Sequence, residues 1–82
     1  MTQKDFDLQQ ALQITRGNEN GNIKTKNGQI VRIVAWDAKG LYPLVGLIDG
    51  GAYENVNMWT NEGKVDFRYD YHSPFDLIIE TE

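Results

Sequence analysis

The feature that most constrains this chain is the stretch from Lys26 to Asp37, which joins a turn signal to a run of β-forming residues. Asn27 and Gly28 both tolerate a positive φ angle, so the pair predicts a tight hairpin turn. The residues that follow are largely β-branched or aromatic: Ile30, Val31, Ile33, Val34 and Trp36. Because apolar side chains would lie on both faces, this run predicts a central strand that is covered on both sides.

The pattern on either side of this stretch predicts a small β-rich fold. The turn makes Ile23–Lys26 and Gln29–Asp37 the two arms of a hairpin. Further strands, each bounded by turn-forming residues, are predicted over Tyr42–Asp49, Tyr53–Thr60 and Phe75–Glu80. Gly46 lies inside the first of these and indicates a bulge or a sharp bend. Such strands at short spacing predict a strongly bent, roughly five-stranded antiparallel sheet or a small SH3-like barrel.

A short helix is predicted before the sheet, over Phe6–Gln13. Asp7 is a suitable N-cap, and Gln10 stands three residues later, as in a capping box. Two turns of helix are not stable alone in water, so this helix must pack on the sheet. Its apolar residues share one face: Leu8, Ala11 and Leu12.

The predicted fold class is therefore mainly β, of the α+β type, with the short N-terminal helix packed on the sheet. A chain of 82 residues is expected to form a single domain over residues 1–82. So small a domain buries a limited core and has modest stability. We expect that core to contain these residues: Ile30, Ile33, Val34, Leu44, Val45, Leu47 and Leu77.

Composition and charge disfavour several classes of function. The chain has no cysteine, and its eight basic and twelve acidic residues give a formal charge of −4. That charge disfavours binding to the phosphate backbone of nucleic acids, and the lack of cysteine disfavours disulfides and thiolate metal sites. The longest apolar runs are a few residues, so no membrane span is predicted. The polar, acidic N-terminus does not resemble a signal peptide, and we expect a cytoplasmic protein.

A row of aromatic residues in the last third of the chain is the main candidate for a binding surface. Aromatic and charged side chains alternate there: Phe67, Arg68, Tyr69, Asp70 and Tyr71. In an extended segment the three rings share one face. Together with Trp59 and Phe75 they could form a recognition surface, because such rings bring a large contact area at low entropic cost. The alternative is that the rings fill the core of so short a chain.

His72, the one histidine, is the candidate for acid–base or metal chemistry. A metal site needs three or four converging ligands, and one histidine near scattered carboxylates does not provide them. We therefore predict no catalytic residue, no metal and no cofactor; an enzyme that uses His72 with an aspartate is the least favoured hypothesis. The acidic residues of this region are expected on a solvated surface, with docking of a basic partner as the alternative: Asp66, Asp70, Asp76, Glu80 and Glu82.

Short motifs follow one another along most of the chain. They are Phe6-Asp7-Leu8 with Ala11-Leu12, Lys26-Asn27-Gly28 before Val31-Arg32-Ile33, Tyr42-Pro43-Leu44-Val45-Gly46-Leu47, Trp59-Thr60-Asn61-Glu62-Gly63 and Asp76-Leu77. Their order resembles that of small uncharacterised proteins encoded by bacteriophages, prophages and gut bacteria, in which the first turn more often reads Arg-Asp-Gly. The resemblance implies a phage or mobile-element origin, a compact β fold, and a bacterial or phage-infected host cell. It implies no activity.

These features predict a non-enzymatic interaction module of phage or mobile-element type. It would bind an unknown protein partner through an aromatic-acidic C-terminal surface that contains these residues: Trp59, Phe67, Arg68, Tyr69 and Tyr71. The alternative is a small-molecule or nucleotide-ligand binder, sponge-like, with a pocket between protomers lined by Arg32, Arg68 or lysines. Unpaired edges at Ile23–Lys26 and Tyr53–Thr60 also predict a homodimer.

Overall fold

The computed structural model describes residues 2–68 and 72–81, which form two three-stranded antiparallel sheets and a short helix. In chain order the elements are β1 (Thr2–Asp5), α1 (Leu8–Thr15), β2 (Asn22–Thr25), β3 (Val31–Ala35), β4 (Leu44–Asp49), β5 (Glu54–Trp59) and β6 (Leu77–Thr81). Sheet A has the order β1-β6-β2, and sheet B has the order β3-β4-β5. The mainly β, α+β prediction is confirmed, but the single five-stranded sheet is wrong.

The turn predicted at Asn27-Gly28 forms, but its two arms enter different sheets. Gly28 has a φ of +92°, and its N–H donates to the carbonyl of Thr25 at 2.9 Å. A single bridge between Lys24 and Ile30 follows. Beyond it, β2 pairs with β6 in sheet A and β3 pairs with β4 in sheet B. The hairpin prediction is right for the turn and wrong for the arms, which diverge after this single bridge and enter different sheets.

Strand β3 is an edge strand of sheet B rather than the predicted central strand. Its inward-facing Val31 and Ile33 are buried, whereas Ile30 and Val34 are 49% and 54% exposed. The pairing of β3 with β4 shifts register between Ile33 and Ala35. Both faces of this strand carry apolar residues, but only one is covered, so the core prediction is wrong for Ile30 and Val34.

One hydrophobic cluster draws side chains from both sheets and from the helix. Its members are Ala11, Ile23, Val31, Ile33, Leu44, Ile48, Trp59, Leu77 and Ile79. The prediction is confirmed for Ile33, Leu44 and Leu77, whereas Val45 and Leu47 are partly exposed. Alternate residues of β4 therefore face the core, and the residues between them face solvent.

Gly46 allows two neighbours to approach β4 closely. A Cβ atom at this position would lie 2.9 Å from the carbonyl oxygen of Arg32 and 3.1 Å from the ring of Trp59. The predicted irregularity does occur here, but the register shift lies in the facing strand β3, while β4 pairs with β5 without a shift. Gly46 is thus required for packing of the Trp59 ring rather than for a bend in its own strand.

Helix α1 has the predicted N-cap and docks as predicted, but it spans Leu8–Thr15 rather than Phe6–Gln13. The backbone N–H of Gln10 donates to Oδ1 of Asp7, the N-cap, at 3.2 Å. Ala11 is fully buried, and Leu8 and Ile14 pack against the core cluster. Leu12, which the sequence places on the docking face, is partly exposed. The described part of the chain contains no helix with the length and hydropathy that crossing a membrane requires.

Both strands predicted as edges, β2 and β5, lie at the edges of their sheets. Lys24 on β2 does not extend into solvent, because its ammonium group lies 2.8 Å from Oε1 of Glu80 on β6. The helix contacts β2 as well. Edge β2 is therefore partly occupied by other elements. Of the two predicted edges, β5 is the one to which the homodimer prediction still applies.

Candidate interaction surface

The structure separates the residues of the predicted aromatic surface. Trp59 is fully buried, and its indole N–H donates to the carbonyl of Phe75 at 2.8 Å, so Trp59 is a core residue. Its assignment to an exposed binding surface does not fit this position, because the side chain has no exposed area for a partner to contact. Tyr69 and Tyr71 lie outside the described residues.

Phe67 and Arg68 lie at the surface, in the segment after β5. Phe67 is 61% exposed, and its N–H donates to the hydroxyl of Tyr42 at 3.2 Å. The Arg68 guanidinium binds Asp66 through Nε–Oδ1 and Nη2–Oδ2 hydrogen bonds of 3.0 and 2.8 Å. These bonds, and then that of the Arg68 backbone N–H, hold the pKa of Asp66 below its ordinary value. A contact between Phe67 or Arg68 and a partner stays a prediction.

Asp76 was predicted on a solvated acidic surface, and it is buried instead. Its Oδ1 accepts the N–H of Val65 at 2.9 Å, and its Oδ2 accepts the N–H of Ser73 at 3.1 Å. The ammonium group of Lys64 lies 3.8 Å from Oδ2. This carboxylate therefore connects the segment after β5 to the segment before β6. The carboxylate can be buried at low cost because its oxygens have hydrogen-bond donors.

Glu80 is the second predicted surface carboxylate that is buried. It lies on the central strand of sheet A and contacts both neighbouring strands, through Lys24 on β2 and through Nε2 of Gln3 on β1 at 3.3 Å. The hydrogen bond from Lys24, and then that from Gln3, lowers the pKa of Glu80. Glu80 thus links the three strands of sheet A through side-chain contacts.

His72 lines a cleft of about 310 Å³ together with charges of both signs. Nδ1 of His72 lies 3.3 Å from the ammonium group of Lys64. The cleft is also lined by these charged residues: Asp5, Lys26, Glu62 and Asp76. A nucleotide phosphate is bound by clustered cations, whereas this lining is mixed. Within residues 2–68 and 72–81, no group of three or more His, Asp or Glu side chains could hold a metal ion.

A surface that the sequence analysis did not single out lies on the solvent side of sheet B. Its apolar residues, called the outer face below, are Val34, Val45, Leu47, Val56 and Met58. The pairing of β4 with β5 places Leu47 beside Val56 and Val45 beside Met58. Val56 and Met58 are 69% and 41% exposed. A contiguous exposed apolar patch is a common feature of the surfaces through which proteins contact other molecules.

An ion pair borders the outer face. Nη2 of Arg32 on β3 donates to both carboxylate oxygens of Glu54 on β5, at 3.0 and 3.2 Å. Because Arg32 pairs with Leu47 and Leu47 pairs with Val56, the Arg32 side chain crosses the middle strand to reach Glu54. An apolar centre with a polar border is the usual anatomy of a protein–protein contact.

The alternation of β5 is opposite to what its residue types suggest. Asn55 and Asn57 lie on the side of the strand that also carries buried Trp59, and Val56 and Met58 lie on the outer face. The alternating pattern identifies the two sets of residues but does not show which set faces solvent. The sequence therefore contained one indication of the outer face, namely that Val56 and Met58 alternate with asparagines.

Comparison with known proteins leaves this surface to be interpreted from its own geometry. No family model matches the chain, and neither a curated protein nor a solved structure matches it. The resemblance of the short motifs to phage and gut-bacterial proteins stays a prediction.

Proposed function

We propose that this chain is a non-enzymatic interaction module that binds a protein partner through the outer face. The observation that supports the proposal is the register of sheet B, which places exposed apolar side chains of three strands next to one another. A partner that covers them removes apolar surface from water, at about 25 cal/mol for each Å² buried. Nothing in this contact requires a catalytic group.

The sheet backbone also favours binding of a partner at the outer face. Its side chains project from hydrogen-bonded strands, so their backbone is already ordered before a partner arrives, and less conformational entropy is lost on binding. Arg32 and Glu54 form a charged border that can orient the partner without lying at the centre of the contact. Phe67, exposed after β5, is kept as a second candidate contact.

The origin and location of the module belong to the same proposal. A phage or mobile-element origin rests on the order of the short motifs, and a cytoplasmic location in a bacterial or infected host cell rests on that resemblance and on the lack of cysteine. A protein of the host or of the phage is then the partner class that the module encounters.

The Val56→Asp variant is expected to keep its fold and lose its partner. Val56 is 69% exposed, so its replacement should lower the free energy of unfolding by no more than about 1 kcal/mol, the difference in strand propensity between valine and aspartate. A carboxylate in an apolar contact must be desolvated, and the nearby guanidinium of Arg32 is already bound to Glu54, so capture of the partner should fall about tenfold or more. Affinity capture from cells that express the tagged chain, with quantitative mass spectrometry, measures this loss.

Tyr53→Asp is the matched control, because Tyr53 is 70% exposed just before β5 and is not part of the outer face. It introduces the same charge three residues away. Proteins retained by the wild type and by Tyr53→Asp, but lost by Val56→Asp, support the proposal. Equal retention by Val56→Asp and the wild type would contradict it.

A further inference from the structure

Strand β5 lacks the features that usually protect a sheet edge against strand addition. The other described edges carry charges, as β1 does with Lys4 and Asp5, are partly occupied by other elements, as β2 is, or shift register, as β3 does. Strand β5 pairs with β4 over all six of its residues without a shift. Its one charged residue, Glu54, is already held by Arg32. Charges and bulges are the common means of blocking an edge, so β5 is the open edge among the strands of residues 2–68 and 72–81.

The free backbone groups of β5 can be assigned from one hydrogen bond. The N–H of Met58 donates to Oδ1 of Asn57 at 2.9 Å and therefore does not bond to β4. In an antiparallel pair, alternate residues direct both N–H and C=O to the same side. The backbone groups of Glu54, Val56 and Met58 consequently point away from β4, toward any strand added at this edge.

We propose that β5 of a second copy of the chain pairs with this edge in antiparallel orientation, about a twofold axis at Val56. The two Val56 residues then face each other and exchange two N–H···O=C bonds. In the same register Glu54 faces Met58 of the other copy, which adds two further bonds at each end. The Asn57 side chain releases the N–H of Met58 when the strands meet.

The side chains of β5 favour a second copy as the occupant. A groove of about 460 Å³ runs beside the strand and is lined by Asn27, Gln29, Asn55, Asn57 and Phe75, with Ile48 and Val56, and no charged residue among them. An identical strand in this register places its own Asn55 and Asn57 opposite these two asparagines, so uncharged carboxamides meet uncharged carboxamides. No like charges face each other, because Glu54 lies opposite Met58.

The pairing would join two copies of sheet B into one six-stranded sheet with one continuous outer face. This inference uses the backbone edge of β5, whereas the protein partner is proposed to contact the side chains of the outer face, and Val56 and Met58 belong to both. The dimer dissociation constant is measured on the purified chain without a partner, so a failure of the dimer is distinguished from a failure of the proposed function.

Opposite charges at position 58 test the register. The Met58→Lys variant places an ammonium group opposite Glu54 of the other copy at both ends of the pair, and should tighten the dimer about fivefold. Met58→Glu places like charges opposite each other and should weaken it by a similar factor. Met58 is 41% exposed, so both variants are expected to fold. Sedimentation equilibrium of the purified full chain measures the dimer dissociation constants.

Val56→Lys provides a second test and Val56→Thr its matched control. Two ammonium groups at the twofold axis should abolish the dimer, whereas threonine keeps the β-branched shape without charge and should preserve it. A wild type and a Met58→Lys variant that both remain monomeric at high micromolar concentration would overturn the proposal. Equal shifts of the dissociation constant in Met58→Lys and Met58→Glu, or a dimer that persists in Val56→Lys, would overturn it as well.

Discussion

The Trp59→Ala variant is expected to lose about 3–5 kcal/mol of unfolding free energy, which is a large part of the stability of so small a domain. Trp59 has no exposed area, and its ring lies against Gly46 of the neighbouring strand. Removal of the indole leaves a cavity in the cluster that connects both sheets, and it leaves the carbonyl of Phe75 without its 2.8 Å hydrogen bond. Urea denaturation followed by circular dichroism measures the loss.

Phe67→Ala is the matched control for this prediction. It also removes a large aromatic side chain, but Phe67 is 61% exposed, so the free energy of unfolding should change by less than about 0.5 kcal/mol. Similar losses in the two variants would contradict the division between a buried Trp59 and an exposed Phe67. A Trp59→Ala protein as stable as the wild type would contradict the core assignment itself.

The Asp76→Ala variant is expected to lose about 3–5 kcal/mol as well. Asp76 is 2% exposed, and its two oxygens accept the backbone N–H groups of Val65 and Ser73. Each N–H left without a partner in the interior costs about 1–3 kcal/mol. Asp76→Asn keeps one carbonyl acceptor, so its loss should be intermediate. The same urea denaturation measures all of these variants.

Asp37→Ala is the control for the loss of a carboxylate, because Asp37 is exposed. Its effect on the free energy of unfolding should stay within about 0.5 kcal/mol. If Asp76→Ala were no more destabilising than Asp37→Ala, the carboxylate would not be holding the segments before and after it in place.

Local features of the fold could be predicted from the sequence, whereas the pairing of the strands could not. The Asp7 cap and the turn at Gly28 depend on neighbouring residues, and both were predicted correctly. Strand β1 was missed because all four of its residues are exposed, so it shows no alternation of apolar and polar residues. It forms by pairing with β6 at the other end of the chain, and no local pattern reports such a contact.

The candidate surface was harder to predict than the fold, for two physical reasons. Alternation in β5 separates Val56 and Met58 from Asn55 and Asn57, but it does not reveal which set faces solvent. The burial of Asp76 and Glu80 depends on donors supplied by residues distant in sequence, such as Val65 for Asp76 and Lys24 for Glu80. Aromatic and acidic composition therefore pointed to Trp59, a core residue, and not to the outer face.

Site-specific photo-crosslinking tests whether the outer face contacts another protein. A benzophenone amino acid is placed at Leu47 or Val56 on the outer face and, as a control, at Glu19, which is exposed in the loop after α1. A self-crosslinked product has twice the 9.4 kDa of one chain and is thereby distinguished from a crosslink to a different protein. We expect the same foreign protein to be crosslinked from positions 47 and 56, and not from position 19. A foreign protein crosslinked equally well from position 19, or none from either outer-face position, would show that the outer face is not the surface that binds a partner.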